Sequence, residues 1–255
     1  MTTWILLRGL TRESRHWGRF VAQFQQALPS HRIVTLDLAG NGLLNQHRSP
    51  IRVQDMVAQC RSQLSQRNIA PPYHLLAMSL GAMVAAAWAH AHAQDISAMV
   101  LINTSMRPLS PFYQRLLPAN YGTLLRLILS GAAAHQWERA ILQMTSNQSD
   151  ESVLPHWLEL RRSNPVSSLN ALRQLVAAAR FELPPDPPAT PTLLLASEHD
   201  HLVSVNCSKS LARSWQCDLC IHPSAGHDIA LDDGPWVAAR VCQWLLAQRE
   251  RSKLL

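Results

Sequence analysis

The sequence predicts an α/β fold in which strands of a mostly parallel sheet alternate with helices. Short apolar runs recur along the chain, and segments with helical spacing separate most of them. Strands that are buried on both faces, as in parallel sheets, have this near-continuous apolar composition. The 255 residues, 47% of them hydrophobic, are enough to bury one large core. We therefore expect a single domain over residues 1–255.

The predicted elements alternate regularly through the first hundred residues and again near the end of the chain. The predicted strands are Trp4–Leu7, Arg32–Leu36, His74–Met78, Ala98–Ile102, Thr192–Ala196 and Asp218–Ile221. The predicted helices are Trp17–Leu28, Ile51–Arg67, Leu80–Ala93, Val205–Trp215 and Pro235–Arg249.

Residues from about 104 to 188 interrupt this alternation. They contain helical patterns at Ala133–Thr145, Ser152–Arg162 and Ser167–Phe181 but no convincing strand. The proline-rich segment 184–191 then returns the chain to the sheet as an extended connector. We interpret the interval as a helical cap over the strand ends. Most of its apolar residues are expected to pack within the cap, with contact to an apolar substrate as the alternative; they include Leu124, Leu125, Leu127, Ile128, Leu129, Trp137 and Trp157.

Ser79 lies where an apolar run ends and an Ala-rich helical pattern begins. A nucleophilic serine projects from a very tight turn between a strand and a helix, and this turn tolerates only small residues two positions away. Ala77 and Gly81 meet that requirement. The first amides of the helix would point at the oxygen of a reacting carbonyl, so the Leu80 amide is a candidate oxyanion donor. The pattern predicts a nucleophile elbow at Ser79.

An acid and a histidine follow the last two predicted strands. Asp200 comes shortly after the strand that ends at Ala196, and His227 lies in a loop of small residues after the strand that ends at Ile221. A serine hydroxyl is a poor nucleophile unless an imidazole takes its proton and a carboxylate holds the tautomer of that imidazole. Ser79, Asp200 and His227 are therefore the candidate catalytic residues.

Other acids and histidines lie near these positions. Asp228 directly follows the candidate histidine, but adjacent side chains point apart, so Asp200 is favoured. Glu198 could replace Asp200 if the loop were displaced. His199 and His201 have no third ligand that would complete a metal site, so no metal is expected.

The motifs resemble those of the α/β-hydrolase fold superfamily over nearly the whole chain. Residues 77–81, Ala-Met-Ser-Leu-Gly, are similar to its Gly-x-Ser-x-Gly elbow, and residues 36–42, Leu-Asp-Leu-Ala-Gly-Asn-Gly, to its Asp-x-Pro-Gly-x-Gly turn. The order Ser, Asp, His along the chain is that of this superfamily. Within it, the chain most resembles small capped carboxylesterases, including those that act on acyl-carrier methyl esters. The resemblance implies an α/β-hydrolase fold, with a mostly parallel sheet flanked by helices and a helical cap.

Two features depart from the family pattern. Arg8-Gly9-Leu10 stands where the family usually has His-Gly, and the resemblance places the second oxyanion amide on Leu10. Arg8 would add positive charge near the pocket. The strand that matches the third strand of the family begins at Trp4, so we expect the sheet to lack the leading N-terminal β-hairpin.

The resemblance implies hydrolysis of a carboxylic ester through an acyl-enzyme, without a metal or an organic cofactor. Ser79 would attack, His227 would move the proton, and Asp200 would orient the imidazole. A thioesterase or an acyltransferase would use the same triad. A ligand-binding protein without catalytic activity is the alternative of a different class, because a fold does not determine a function.

The net charge of +6 comes from the first segment of the chain. Residues 1–70 hold nine arginines against Glu13, Asp37 and Asp55. We interpret this excess as a solvated basic face, with an anionic or carrier-bound ester substrate as the alternative. No nucleic-acid-binding motif accompanies the arginines, so no nucleic-acid partner is expected.

The cysteines and the amino terminus indicate the cellular compartment. The five cysteines are scattered, and Cys217 and Cys220 are not joined by a second pair, so thiols are expected rather than disulfides or zinc ligands. The chain starts without a leader pattern, and no apolar run reaches membrane-spanning length. A cytoplasmic location is the expectation, and the oligomeric state stays open.

Overall fold

The six predicted strands form one parallel sheet in the computed structural model, which describes residues 2–148, 151–184 and 186–251. Every pair of neighbouring strands is parallel, in the order β2-β1-β3-β4-β5-β6. The expected mostly parallel sheet, with β1 as its first strand along the chain, is confirmed. The strands are β1 (Thr3–Leu7), β2 (Arg32–Leu36), β3 (Tyr73–Met78), β4 (Ile96–Ile102), β5 (Thr192–Ser197) and β6 (Asp218–His222).

Helices cover both faces of the sheet and fill the interval between β4 and β5. None of the helices in the described ranges is both long enough and apolar enough to cross a membrane. The helices are α1 (Phe20–Ala27), α2 (Val53–Gln66), α3 (Leu80–Ala91), α4 (Phe112–Arg115), α5 (Tyr121–Leu129), α6 (Ala134–Thr145), α7 (Leu154–Ser163), α8 (Ser168–Arg180), α9 (Val205–Trp215), α10 (Ile229–Asp232) and α11 (Gly234–Arg251).

The first predicted helix is wrong at its start. A short 3-10 turn, Ser14–Trp17, precedes α1, which begins only at Phe20. Gly18 separates the two with a φ of 51°, a left-handed conformation that an α-helix does not accommodate. Trp17 therefore lies on a turn, where its buried ring packs against Phe20.

Alternation along β1 builds two apolar layers. Side chains of successive strand residues point to opposite faces, so Ile5 and Leu7 face one layer while Trp4 and Leu6 face the other. The first layer also contains buried residues of α2 and α3, and the second those of α1 and α11. These four of the five β1 residues are fully buried, as a central strand requires.

The insertion helices α4–α8 are only partly packed as expected. Trp157 and Leu127 are buried, but Leu125, Ile128 and Leu129 are 57%, 65% and 76% exposed. The expectation that these three leucine and isoleucine side chains pack within a cap is wrong. The reason is geometric: with Tyr121, which is also exposed, they follow the spacing i, i+4, i+7, i+8 and so share one helix face, whereas Leu127 lies on another.

The start of α3 packs tightly against the end of β1. A Cβ atom at Gly81 would lie 2.6 Å from the carbonyl oxygens of both Leu7 and Arg8. The helix is buried along most of its length, from Leu80 to Ala89. Only a residue without a side chain allows the helix to approach the strand so closely.

Gly81→Ala should therefore destabilise the fold by about 1–3 kcal/mol, because backbone atoms must move to admit the methyl group. The measurement is urea unfolding at equilibrium. Gly122→Ala is the matched control, since no atom lies within 4 Å of a Cβ at Gly122 in α5. The control should change the free energy of unfolding by less than about 1 kcal/mol, in the stabilising direction. Equal effects of the two substitutions would contradict the packing argument.

Candidate functional site

Ser79 occupies the sharp turn between β3 and α3. Its backbone has a φ of 54° and a ψ of −118°, a conformation that residues other than glycine rarely adopt. Two interactions with the end of β4 hold the turn: the Ser79 amide donates to the carbonyl of Ile102 at 3.0 Å, and the Thr104 hydroxyl donates to the carbonyl of Ser79 at 3.2 Å. The predicted strand-to-helix turn at Ser79 is present.

The structure brings Asp200 and His227 together. The Nδ1 atom of His227 lies 2.7 Å from Oδ2 of Asp200, and the two side chains are 4% and 1% exposed. The other carboxylate oxygen of Asp200 accepts the backbone N–H groups of Leu202 at 2.7 Å and Val203 at 2.9 Å. A carboxylate at Nδ1 favours the tautomer that carries its proton there, which leaves Nε2 as a proton acceptor.

Asn103 binds the segment that carries His227 and lies between Ile102 and Thr104, the two residues that bind Ser79. It follows β4 directly, one residue after the carbonyl that binds the Ser79 amide, and its Nδ2 donates to the carbonyl of His227 at 2.7 Å. Its side-chain oxygen accepts the amide of Ser197 at 2.9 Å. The sequence analysis missed Asn103. Its position after a buried strand, at the edge where the other candidates lie, was an available signal.

The competing acids have other partners. Asp228 binds the side chain of Arg8, and Glu198 is 46% exposed and binds Lys209. His199 and His201 are both exposed. Within the described ranges, no group of three or more histidine, cysteine, aspartate or glutamate residues is placed to hold a metal ion.

The candidate oxyanion amides lie on two segments beside Ser79. Leu80 is the first residue of α3, so its N–H has no acceptor within the helix. Leu10 follows Gly9, where an added Cβ would lie 3.1 Å from the Cβ of Ser79. The next amide, that of Thr11, is already used: it donates to the side chain of Gln174 in α8 at 2.8 Å.

Arg8 is buried rather than presented as a free charge. Its guanidinium is 4% exposed and donates to both carboxylate oxygens of Asp228, at 3.2 and 2.5 Å. It also lies 4.7 Å from the centre of the Trp17 ring. The expectation that Arg8 adds positive charge near a pocket is therefore wrong, because the adjoining carboxylate neutralises it.

Arg12 ties the first loop to the insertion helices. It donates to Glu138 of α6 at 2.7 Å, and Arg161 of α7 donates to the other oxygen of Glu138 at 2.9 Å. The Arg12 guanidinium lies 4.2 Å from the centre of the Trp157 ring. Burial lowers the pKa of Arg12, and Glu138 opposes that effect. Burial, together with the charge of Arg12, also holds the pKa of His16 well below its ordinary value.

Three arginines of the first loop are thus paired within the protein. Arg15 binds Glu13, as Arg8 binds Asp228 and Arg12 binds Glu138. The interpretation of this segment as a solvated basic face is wrong for Arg8 and Arg12, since both are buried. The net charge does not indicate an anionic ligand at these positions.

Asp37, Cys217 and Cys220 have structural roles. The carboxylate of Asp37 accepts the amides of Ser14 at 2.7 Å and Leu43 at 3.0 Å, and so fixes its turn. Cys217 and Cys220 are free thiols on and beside β6. Burial raises the pKa of Cys217 to about 11, so its thiol stays protonated and unreactive at neutral pH.

Comparisons with known proteins agree on one fold. Residues 4–240 match the sequence profile of the alpha/beta hydrolase family. A search of curated protein sequences found no match. A protein of Mycobacterium tuberculosis H37Rv assigned as a non-heme bromoperoxidase is similar in structure, with a TM-score of 0.77, 21% identity, and coverage of 97% of this chain and 92% of that one.

Two further solved structures are similar over comparable lengths. A protein of Acinetobacter baumannii AYE assigned as a lipase has a TM-score of 0.77, 19% identity and coverage of 98% of this chain and 85% of its own. A thermophilic esterase from Thermogutta terrifontis has a TM-score of 0.71, 19% identity and coverage of 97% and 90%. Identities this low establish the shared fold alone.

Glu138→Gln should destabilise the protein by about 3 kcal/mol or more, because it leaves the buried Arg12 without its carboxylate. Urea unfolding measures the effect. Glu159→Gln is the matched control: Glu159 pairs with Arg162 on the surface of α7, where both side chains are exposed. Its loss should change the free energy of unfolding by less than about 0.5 kcal/mol. Similar effects of the two substitutions would contradict a structural role for the buried pair.

Proposed function

The chain belongs to the alpha/beta hydrolase family, and we propose that it is a serine hydrolase that cleaves a carboxylic ester through an acyl-enzyme. The buried Asp200–His227 hydrogen bond of 2.7 Å is the observation that carries this proposal. It lies at the sheet edge where Ser79 occupies its strained turn, and the end of β4 contacts both segments: Ile102 binds the Ser79 amide, and the next residue, Asn103, binds the carbonyl of His227. A buried carboxylate at Nδ1 is what a histidine needs to act as a general base.

In the proposed reaction, Oγ of Ser79 attacks the ester carbonyl while Nε2 of His227 takes the hydroxyl proton. The imidazolium is stabilised by Asp200 and returns the proton to the oxygen of the leaving alcohol as the carbon–oxygen bond breaks. Water then attacks the acyl-enzyme with His227 as base, which releases the acid and restores the Ser79 hydroxyl. The Leu80 and Leu10 amides would hold the negative oxygen of each tetrahedral intermediate.

We also propose that helices α4–α8 form a cap over this site. The end of α6 contacts the histidine loop: a Cβ at Gly226 would lie 2.8 Å from the carbonyl of Thr145, and the Asp228 amide donates to the same carbonyl at 2.7 Å. On the other side, Gln174 of α8 is fully buried and binds the amide of Thr11. These contacts between the insertion helices and both loops support the proposed cap.

The nucleophile is tested with a fluorophosphonate probe and a series of p-nitrophenyl esters of graded acyl length. We expect wild type to be labelled and to release p-nitrophenol, and Ser79→Ala to lose both activities, because the substitution removes the hydroxyl of the proposed nucleophile. Ser65→Ala, on the exposed part of α2, is the control and should behave as wild type. A folded wild-type protein that neither reacts with the probe nor hydrolyses any ester would favour the ligand-binding alternative.

The acid is tested by comparing two neighbouring carboxylates. Asp200→Asn should lower kcat/KM by roughly 10³–10⁴-fold, because the amide stabilises the wrong tautomer of the imidazole. Glu198 lies two residues before Asp200, is exposed and pairs with Lys209. Glu198→Gln should therefore alter kcat/KM by less than about twofold. The assignment of the acid fails if Glu198→Gln is the variant that loses activity.

A further inference from the structure

The Arg8–Asp228 pair connects the two loops of the proposed site. Arg8 directly precedes Gly9 and Leu10, and Asp228 directly follows His227. The two side chains are 4% and 3% exposed and form the bidentate contact described above. The ion pair therefore joins the loop that carries the candidate oxyanion amide of Leu10 to the loop that carries the proposed base, His227.

We propose that this pair positions the imidazole of His227 relative to the oxyanion amides, and that its two opposite charges cancel at that imidazole. Arg8 and Asp228 are positioning residues in this view, since neither is placed to touch the reacting atoms. The inference rests on the proposed function, because it assigns a task within the same site.

The geometry supports positioning over simple stabilisation. A bidentate contact between a planar guanidinium and a carboxylate fixes distance and orientation together, which a packed apolar pair does not do as narrowly. Trp17 beneath the guanidinium restricts its movement. On the other side, Asp228 also accepts the amide of Leu231 at 3.3 Å and so ties the histidine loop to the start of α10. A buried ion pair contributes little net stability compared with apolar residues of similar volume. Positioning of the two loops, rather than stability, would then explain the Arg8–Asp228 pair.

The charges around His227 make the second half of the proposal testable. Asp200 binds the ring from the loop after β5, Arg8 reaches the histidine loop from the end of β1, and Asp228 lies on that loop itself. Asp232 of α10 binds the amide of Gly226. The end of α6 contributes uncharged groups, the carbonyl of Thr145 among them. Removing one member of the Arg8–Asp228 pair would leave the other charge uncompensated beside the imidazole.

The experiment measures the pH dependence of kcat/KM for a p-nitrophenyl ester in Arg8→Met, Asp228→Asn and the double variant. The acid limb of this profile reports protonation of the base in the free enzyme. Arg8→Met leaves the anion of Asp228, which favours the imidazolium, so the acid limb should move to higher pH. Asp228→Asn leaves the cation of Arg8, so the limb should move to lower pH. Each shift should be about half a pH unit or more.

The double variant removes both charges near His227, so the net charge of the pair is again zero, but it also lacks the bidentate contact. Its acid limb should return to within about 0.2 pH unit of wild type, while kcat stays about tenfold or more below wild type because the loops have lost their mutual position. Arg8→Lys keeps the charge without the planar fork, so it should show the wild-type limb with a reduced kcat. In each variant KM should change less than kcat does.

Controls separate this inference from unfolding and from the proposed function. Arg61→Met removes the α2 side chain that pairs with Asp95, which keeps its bond from Trp88, and should leave both the acid limb and kcat at their wild-type positions. Near-ultraviolet circular dichroism establishes that each variant is folded. Shifts of the same sign in Arg8→Met and Asp228→Asn, or no shift in either folded variant, would overturn the inference. If Ser79→Ala is inactive at the same time, the proposed function still stands, whereas full activity of Ser79→Ala would remove both.

Discussion

The arrangement of the site depends on the close approach of α3 to the end of β1. Gly81 touches the carbonyl groups of Leu7 and Arg8, and this contact sets the loop after β1 directly beside the turn at Ser79. Gly9 then packs against Ser79, and the positions of Arg8 and Leu10 follow from it along the chain. A steric limit at one glycine thus determines where the nucleophile, the candidate oxyanion amide and the buried arginine lie.

Polar contacts join the insertion helices to the first loop, in addition to the apolar core that α8 shares with the sheet. Arg12 and Glu138 form one such link, and the amide of Thr11 with Gln174 forms another. Polar groups buried in this way demand matched partners, so each link defines one relative position of the two segments. The composition of the chain indicated excess positive charge in the first segment, but two of its arginines, Arg8 and Arg12, are buried and paired with acids far along the sequence.

The sequence was sufficient to predict what depends on local pattern and on strand order. The apolar runs predicted β1–β6 to within two residues at either end, and the positions of Asp200 and His227 after β5 and β6 predicted that they meet, because parallel strands end at one edge. The Arg8–Asp228 contact spans 220 residues and depends on side-chain directions, which no local pattern contains. Likewise, the apolar residues of α5 are of the types that usually form a core. Their exposure on one helix face depends on how the helix packs, which the sequence does not show.

The place of the insertion has a consequence for how freely its length can vary. Residues 103–191 leave the sheet after β4 and return to β5, which pairs beside β4 from Met99 with Thr192 onward. The entropy lost on closing a loop grows only with the logarithm of its length, by about 0.6 kcal/mol for each doubling. Segments of quite different size could therefore occupy this interval at a small cost to strand pairing. Substrate preference could then diverge here while the sheet and the triad stay unchanged.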